Sequence, residues 1–291
     1  MNKLLTIAIP TYNRAYICKE NITRLAKPEL PEVDIMVIDN ASTDETPSIL
    51  GEIIEKSNGI IYKRNETNLG MEGNFLECYK IAKSKYLWIL GDDDLIELNK
   101  LDCLLALLRT DPGLVHISPK NLKGTRNIYD GSEFLSLCSY WLTFISSNIF
   151  KVDQTDVHRT KYDYYHGTFL CVTRMYIDAI FSSPTNVITY DKFWDGGQDL
   201  SRNGGYNFFK VFGENFCEIL IELRAKKVIT GSVYKTINHD LFANHIAPNF
   251  KRYVLSSKKN NYDLNGAIGI ILRYFGGHWA NWRFVARKIF L

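Results

Sequence analysis

Four short apolar runs, separated by helix-length amphipathic segments, fill the first 120 residues, and this alternation restricts the fold more than any other feature of the chain. LLTIAIP (4–10), EVDIMVIDN (32–40), GIIYKR (59–64) and YLWIL (86–90) read as buried strands, being short and bounded by Pro, Asn, Gly or Asp. Between them, TYNRAYICKENITRLA sets Ile17, Ile22 and Leu25 at helical spacing and stops at Pro28. Ser42 with Glu45 predicts a capping box for a helix to about residue 56, and another helix is expected over 70–84. Strands joined through helices of this length pair in parallel through right-handed crossovers. The expected class is therefore α/β, a Rossmann-like, mainly parallel sheet flanked by helices.

The fourth run ends abruptly in Asp92, Asp93 and Asp94. In extended backbone Asp92 and Asp94 point to the same side, because side chains alternate along a strand. Two carboxylates on one side suit a hard divalent cation, Mg²⁺ or Mn²⁺, which takes carboxylate oxygens together with those of a substrate phosphate. A second reading competes: Asp94 with Glu97 also fits a helix capping box, and acids favour a helix N-terminus.

In sheets of this kind ligands lie beyond the carboxyl ends of the strands. Those ends carry Pro10, Thr11, Tyr12 and Asn13, then Asp39 and Asn40, then Asn65 and Asn68, then the three aspartates. This polar rim suits a nucleotide. Neither GxxxxGKS/T nor GxGxxG follows the first strand, so phosphates would have to be neutralised without a glycine-rich cradle. A metal held by the aspartates would do so.

The second half is less regular. LVHISP (114–119) and FISSNIFKV (144–152) read as strands, FLSLCSYWL as an apolar helix and GENFCEILIELRAKK (213–227) as an amphipathic one. DGGQDLSRNGGYNFF, with two glycine pairs, reads as a mobile loop over a site. From residue 251 onward eight basic residues face one acid, leaving the first 250 at a net −4 out of a total of +3. Trp279, Trp282, Ile289 and Phe290 fall near one helix face with Arg283 and Arg287 on another, the pattern of a helix lying on a membrane surface; no nucleic-acid partner is expected. Six scattered cysteines without CxxC point to reduced thiols, and the N-terminus lacks the marks of a signal peptide. A cytoplasmic protein, peripheral on the inner face of the membrane, is expected.

IPTYNR (9–14), VIDNASTDET (37–46), NETNLGMEGN (65–74) and LGDDDL (90–95), in that order and spacing, resemble the nucleotide-sugar half of the family 2 glycosyltransferases of GT-A fold. The resemblance implies that residues 1–120 bind a nucleotide-sugar and 121–240 bind the acceptor and supply the base; the charge and rings of 241–291 are read as a basic aromatic helical tail. It implies that Pro10, Thr11, Tyr12 and Arg14 lie beside base and ribose and that Asp39 bonds the base, usually uracil. Asn40, Asn68 and Gly70 complete that rim. LGDDDL would carry the DXD metal motif. Many relatives have an acid where Gly91 stands, so two registers remain: Asp92 with Asp94 for ribose and metal, or Asp93 with Asp94.

The family's base is usually an Asp in a Glu-Asp pair about twenty residues after a strand like 144–152. Here KYDYYHGTF offers Asp163 and His166 at that distance, and GGQDL offers Asp199 in a Gln-Asp pair. The implied activity is metal-dependent, inverting transfer from a UDP-sugar to a glycan or lipid-linked acceptor in surface polysaccharide or glycolipid synthesis. Two other activities fit the residues less fully: a sugar nucleotidyltransferase, whose glycine- and arginine-rich N-terminal loop is missing, and a non-catalytic module that presents the aromatic second half to glycans or a partner.

Overall fold

The first apolar run becomes the middle strand of the sheet because it is apolar on both faces, and six of the seven residues of β1 (Leu5–Thr11) are buried. β2 (Val33–Asp39) and β4 (Tyr86–Ile89) flank it in parallel, Leu5 lying opposite Val33 on one side and Tyr86 on the other. β3 (Ile60–Arg64) extends the sheet in parallel beyond β2. Three helices make the crossovers: α1 (Ala15–Leu25), α2 (Thr46–Glu55) and α3 (Gly70–Ile81). α1 buries Ala15, Cys18, Ile22 and Leu25, one stripe at three- and four-residue spacing. α4 (Leu101–Arg109) buries Leu101, Leu104, Leu105 and Leu108 in the same way. These stripes pack with Leu5, Ile7, Ile9, Val37 and Trp88 into one core, where truncating a side chain such as Trp88 to Ala costs about 3–5 kcal/mol.

The sheet continues through β5 (Leu114–Ile117), β6 (Thr125–Ile128), β7 (Asn148–Lys151) and β8 (Asn186–Thr189), giving eight strands in the order β3-β2-β1-β4-β7-β5-β8-β6. β7 is antiparallel to both of its neighbours, with Trp88 opposite Ile149 and Leu114 opposite Phe150. The 3₁₀ turn Ile145–Ser147 leads into it, so the strand is shorter than the expected 144–152. α5 (Cys171–Ser182) lies against α3 and β7.

The chain, a computed structural model, is described over residues 3–26, 30–57, 59–153, 155–156, 158–196, 204–256, 260–277 and 281. It divides into two units, Met1–Gly131 with Phe144–Gln198, which holds the sheet, and Ser132–Thr143 with Asp199–Leu291. In the second unit, helices Phe216–Ala225, Gly231–Leu241 and Ala267–Phe275 accompany three π-helical stretches, Phe209–Asn215, Phe242–Ile246 and Phe250–Leu255. The helix expected from residue 213 therefore becomes α-helical only at Phe216. There the His245 ring stacks on Tyr140 at 4.8 Å, and burial pushes the His245 pKa down to about 4. No helix among the described residues is long and apolar enough to cross a membrane. The tail residues Trp279, Trp282, Arg283, Arg287, Ile289 and Phe290 and positions 197–203 of the expected mobile loop lie outside the described residues.

Both expected capping boxes are absent. α2 begins at Thr46, whose N–H donates to Asp44 Oδ1 at 2.9 Å, while the Ser42 hydroxyl is taken by the Asn13 N–H at 2.9 Å. Asp94 and Glu97 cap no helix, because Leu95–Ile96 pairs antiparallel with Trp194–Asp195 before a 3₁₀ turn leads into α4. Cross-strand pairing has overridden a local preference.

Candidate active site

The ends of β1, β2 and β4 are tied to one another by side chains. Thr11 Oγ1 donates to Asp92 Oδ2 at 2.7 Å, and the Asn40 N–H donates to the Thr11 carbonyl at 2.9 Å. Arg14 spans two of the three aspartates, with Nε 3.0 Å from Asp92 Oδ1 and Nη2 3.0 Å from Asp93 Oδ2. Three carboxylates against one guanidinium leave two net negative charges at this strand end. Burial raises the Asp92 pKa to about 6, against the opposing pull of Arg14 and then of the Thr11 hydroxyl. Asp92 is only 6% exposed, whereas Asp93 and Asp94 are partly open to solvent.

Asp94 is held from several directions. Its N–H donates to the Gly91 carbonyl at 3.1 Å, its carbonyl accepts from Asn21 Nδ2 at 2.8 Å, and its Oδ2 accepts from the Ser146 hydroxyl. A Cβ placed on Gly91 would lie 2.7 Å from Asp94 Oδ2 and 3.2 Å from Asp93 Oδ1, so both carboxylates converge over this glycine. That is a pair of hard oxygen donors aimed at one spot, which fits a divalent cation. Among the described residues no three carboxylate, His or Cys side chains form a ready-made cage. An ion here would take its remaining oxygens from water or a phosphate-bearing ligand.

The second strand end is already satisfied. Asp39 is fully buried, and it accepts from the Ser42 N–H at 2.9 Å and Tyr62 Oη at 3.0 Å, with Arg64 Nε at 3.3 Å. Asn40 organises a buried amide network: it donates to Asn68 Oδ1 and the Gly70 carbonyl, and accepts from Asn65 Nδ2 and the Leu69 N–H. Gly70 has φ +73°, the left-handed region that glycine occupies without strain. Asn74 is buried and donates to the Ile38 carbonyl at 3.1 Å. Pro10 lies in β1 opposite Ile38, and Tyr12 stands 37% exposed beyond the strand.

The expected base residues are distributed differently. Asp163 pairs with Lys80 of α3 at 3.1 Å. His166 is exposed, and its Nε2 lies 3.6 Å from where a Cβ on Gly73 would stand. Its loop is pinned by Glu72, a buried carboxylate that accepts from the Gly167 N–H at 2.6 Å and from the Cys171 N–H, at the start of α5, at 3.2 Å. Asp199 lies outside the described residues. Gly196, three positions before it, is beside Asp94, its Cβ position 3.9 Å from Asp94 Oδ1. Ser146, Asn21 and Glu72 carry no signal in the sequence, since each acts through a partner distant along the chain.

Comparison with known proteins bears on this arrangement. The model of the family described as glycosyl transferase family 2 matches residues 6–181. The abequosyltransferase RfbV of Salmonella typhimurium is 36% identical over 108 residues, 36% of this chain and 32% of that protein. The GalNAc(5)-diNAcBac-PP-undecaprenol beta-1,3-glucosyltransferase of Campylobacter jejuni is 25% identical over 114 residues, 39% of this chain and 36% of that protein. The matched stretch thus spans about a third of each relative's length. Among solved structures, S. aureus TarS 1–349 in complex with UDP-GlcNAc is similar at TM-score 0.61 and 17% identity, covering 86% of this chain and 76% of that one. The Pyrobaculum calidifontis mannosyltransferase PcManGT, in complex with GDP-Man and Mn²⁺, is similar at TM-score 0.53 and 13% identity, covering 99% of this chain and 87% of that one. The sheet and its crossovers are those of the GT-A fold.

Proposed function

Because the chain belongs to glycosyl transferase family 2, we propose that it transfers a sugar from a nucleotide-sugar, a UDP-sugar, to a glycan or lipid-linked acceptor with inversion at the anomeric carbon. The convergence of Asp93 and Asp94 over Gly91 carries this reading. The UDP-GlcNAc bound by TarS and the undecaprenol-linked acceptor named for the Campylobacter relative support the donor and acceptor classes. The basic, aromatic composition beyond residue 251 supports action beside a membrane surface.

Asp93 and Asp94 would hold Mn²⁺ or Mg²⁺, whose chemistry is to neutralise the charge that builds on the departing nucleoside diphosphate. Asp92, buried and held by the Thr11 hydroxyl as well as by Arg14, shapes the strand end from behind, whereas Asp93 shares Arg14 but is partly open to an ion. Thr11 and Tyr12 border the donor site at the end of β1, and the Asn40 network fixes the turn into α3 beside it.

Inverting transfer also needs a base for the acceptor hydroxyl. The Lys80 partner of Asp163 weighs against that residue, and the Gln-Asp pair that resembles the family's Glu-Asp supports Asp199 for that role. Calorimetric titration of UDP with and without Mn²⁺ tests the proposal. Binding that depends on the metal and is lost in Asp94→Ala is expected; metal-independent behaviour of both proteins would overturn it.

A further inference from the structure

We infer that Ser146 is a positioning residue for the cation-binding carboxylate Asp94, an inference that rests on the metal reading above. Ser146 is the middle residue of the turn that leads into β7, and its side chain is buried. Its hydroxyl accepts from the Gly91 N–H at 2.9 Å and donates to Asp94 Oδ2. A serine hydroxyl has one proton and two lone pairs. With a lone pair occupied by the Gly91 N–H, the proton is directed at the carboxylate.

The serine is itself fixed. Its carbonyl accepts from Trp88 Nε1 at 3.0 Å, and Trp88 is fully buried in β4. The Asp94 N–H returns to the Gly91 carbonyl at 3.1 Å, so Gly91, Ser146 and Asp94 close a hydrogen-bonded ring. Gly91 is part of the same device, because a Cβ 2.7 Å from Asp94 Oδ2 would push the carboxylate away from the serine. Gly91 is therefore the space in which the third aspartate is held.

Partners that orient a metal ligand from outside commonly account for 10–100-fold in metal affinity. The test is Mn²⁺ titration of the full chain in the presence of UDP, with free Mn²⁺ counted by electron paramagnetic resonance. Ser146→Ala is expected to weaken Mn²⁺ binding by about 10–100-fold, and Gly91→Ala, which leaves the hydroxyl in place but displaces its partner, to weaken it likewise. Serving only the fold, Ser146 would change melting temperature and leave Mn²⁺ affinity alone. Wild-type affinity in either variant, folded by circular dichroism, overturns the inference. Failure of the unmodified chain to bind Mn²⁺ with UDP overturns the metal reading instead, a distinct result.

Discussion

Thr11 meets Asp92 at 2.7 Å, the hydroxyl at the end of one strand donating to a carboxylate at the end of the next that is almost wholly removed from water. Thr11→Val keeps the shape and deletes the donor. A hydrogen bond to a charged group contributes about 1.5–3 kcal/mol, so urea denaturation at pH 7.5 should show a loss of about 2 kcal/mol. The loss should shrink below pH 6, where Asp92, with its pKa raised to about 6, takes up a proton and depends less on the donor.

The three aspartates should separate by assay. Asp93→Asn and Asp94→Asn are expected to abolish the Mn²⁺-dependent part of UDP binding while leaving thermal stability near that of the wild type. Asp92→Asn should leave both readouts near those of the wild type, because burial already opposes the Asp92 charge, raising its pKa to about 6, and Arg14 keeps Asp93 as a partner. Equal loss of metal-dependent binding in all three, at unchanged stability, would return the metal to Asp92.

The base is expected to be found by kinetics. With a donor and acceptor that the wild type turns over, Asp199→Asn should lower kcat by about 10²–10⁴-fold, the usual contribution of a general base. Asp163→Asn, whose carboxylate faces Lys80 at 3.1 Å, should stay within about threefold, because exposed ion pairs contribute at most about 1 kcal/mol. His166→Gln should behave like Asp163→Asn. A large effect confined to Asp163 or His166 would reassign the proton transfer.

His116 predicts an acid limb to stability. Burial lowers its pKa from 6.5 to about 4, and its Nδ1–H donates to Asn148 Oδ1 at 2.8 Å. The unfolded chain therefore binds the proton first as pH falls. The stability due to neutral His116 is complete above pH 6.5 and is lost progressively towards pH 4, on the order of 3 kcal/mol. Asp92 pulls the opposite way over part of that interval, since its raised pKa favours the folded state as pH falls through about 6. The difference between wild type and His116→Asn in denaturation from pH 7.5 to 4 isolates the histidine, and a parallel pair of curves would refute the prediction.

The parallel half of the sheet was legible because β1, β2 and β4 are apolar on both faces and its helices carry regular stripes, patterns set within ten or so residues. The polar rim was legible for the same reason: it is where those runs end. The occupation of that rim was not. Arg14, expected beside base and ribose, reaches Asp92 and Asp93, which are near neighbours only once β1 and β4 pair. Asp39 also meets Tyr62 and Arg64 of the adjacent strand, partners that its own run does not name. The capping boxes failed because each serine or aspartate found a partner in another segment. β7 read as a strand, but a hydrophobic run does not state its direction.

That direction affects when the site comes into being. An antiparallel neighbour begins where β4 stops, so the residues just before β7 arrive at the aspartates without an intervening loop. The hydroxyl that holds Asp94 is 52 residues later in the chain than its partner. A nascent chain made only as far as residue 130 contains all three aspartates and Arg14, yet not Ser146. Domains fold as units during synthesis and distant pairings form late. The carboxylate arrangement is thus withheld until the antiparallel strand has been made and inserted, so an incomplete product cannot assemble the strand end in full.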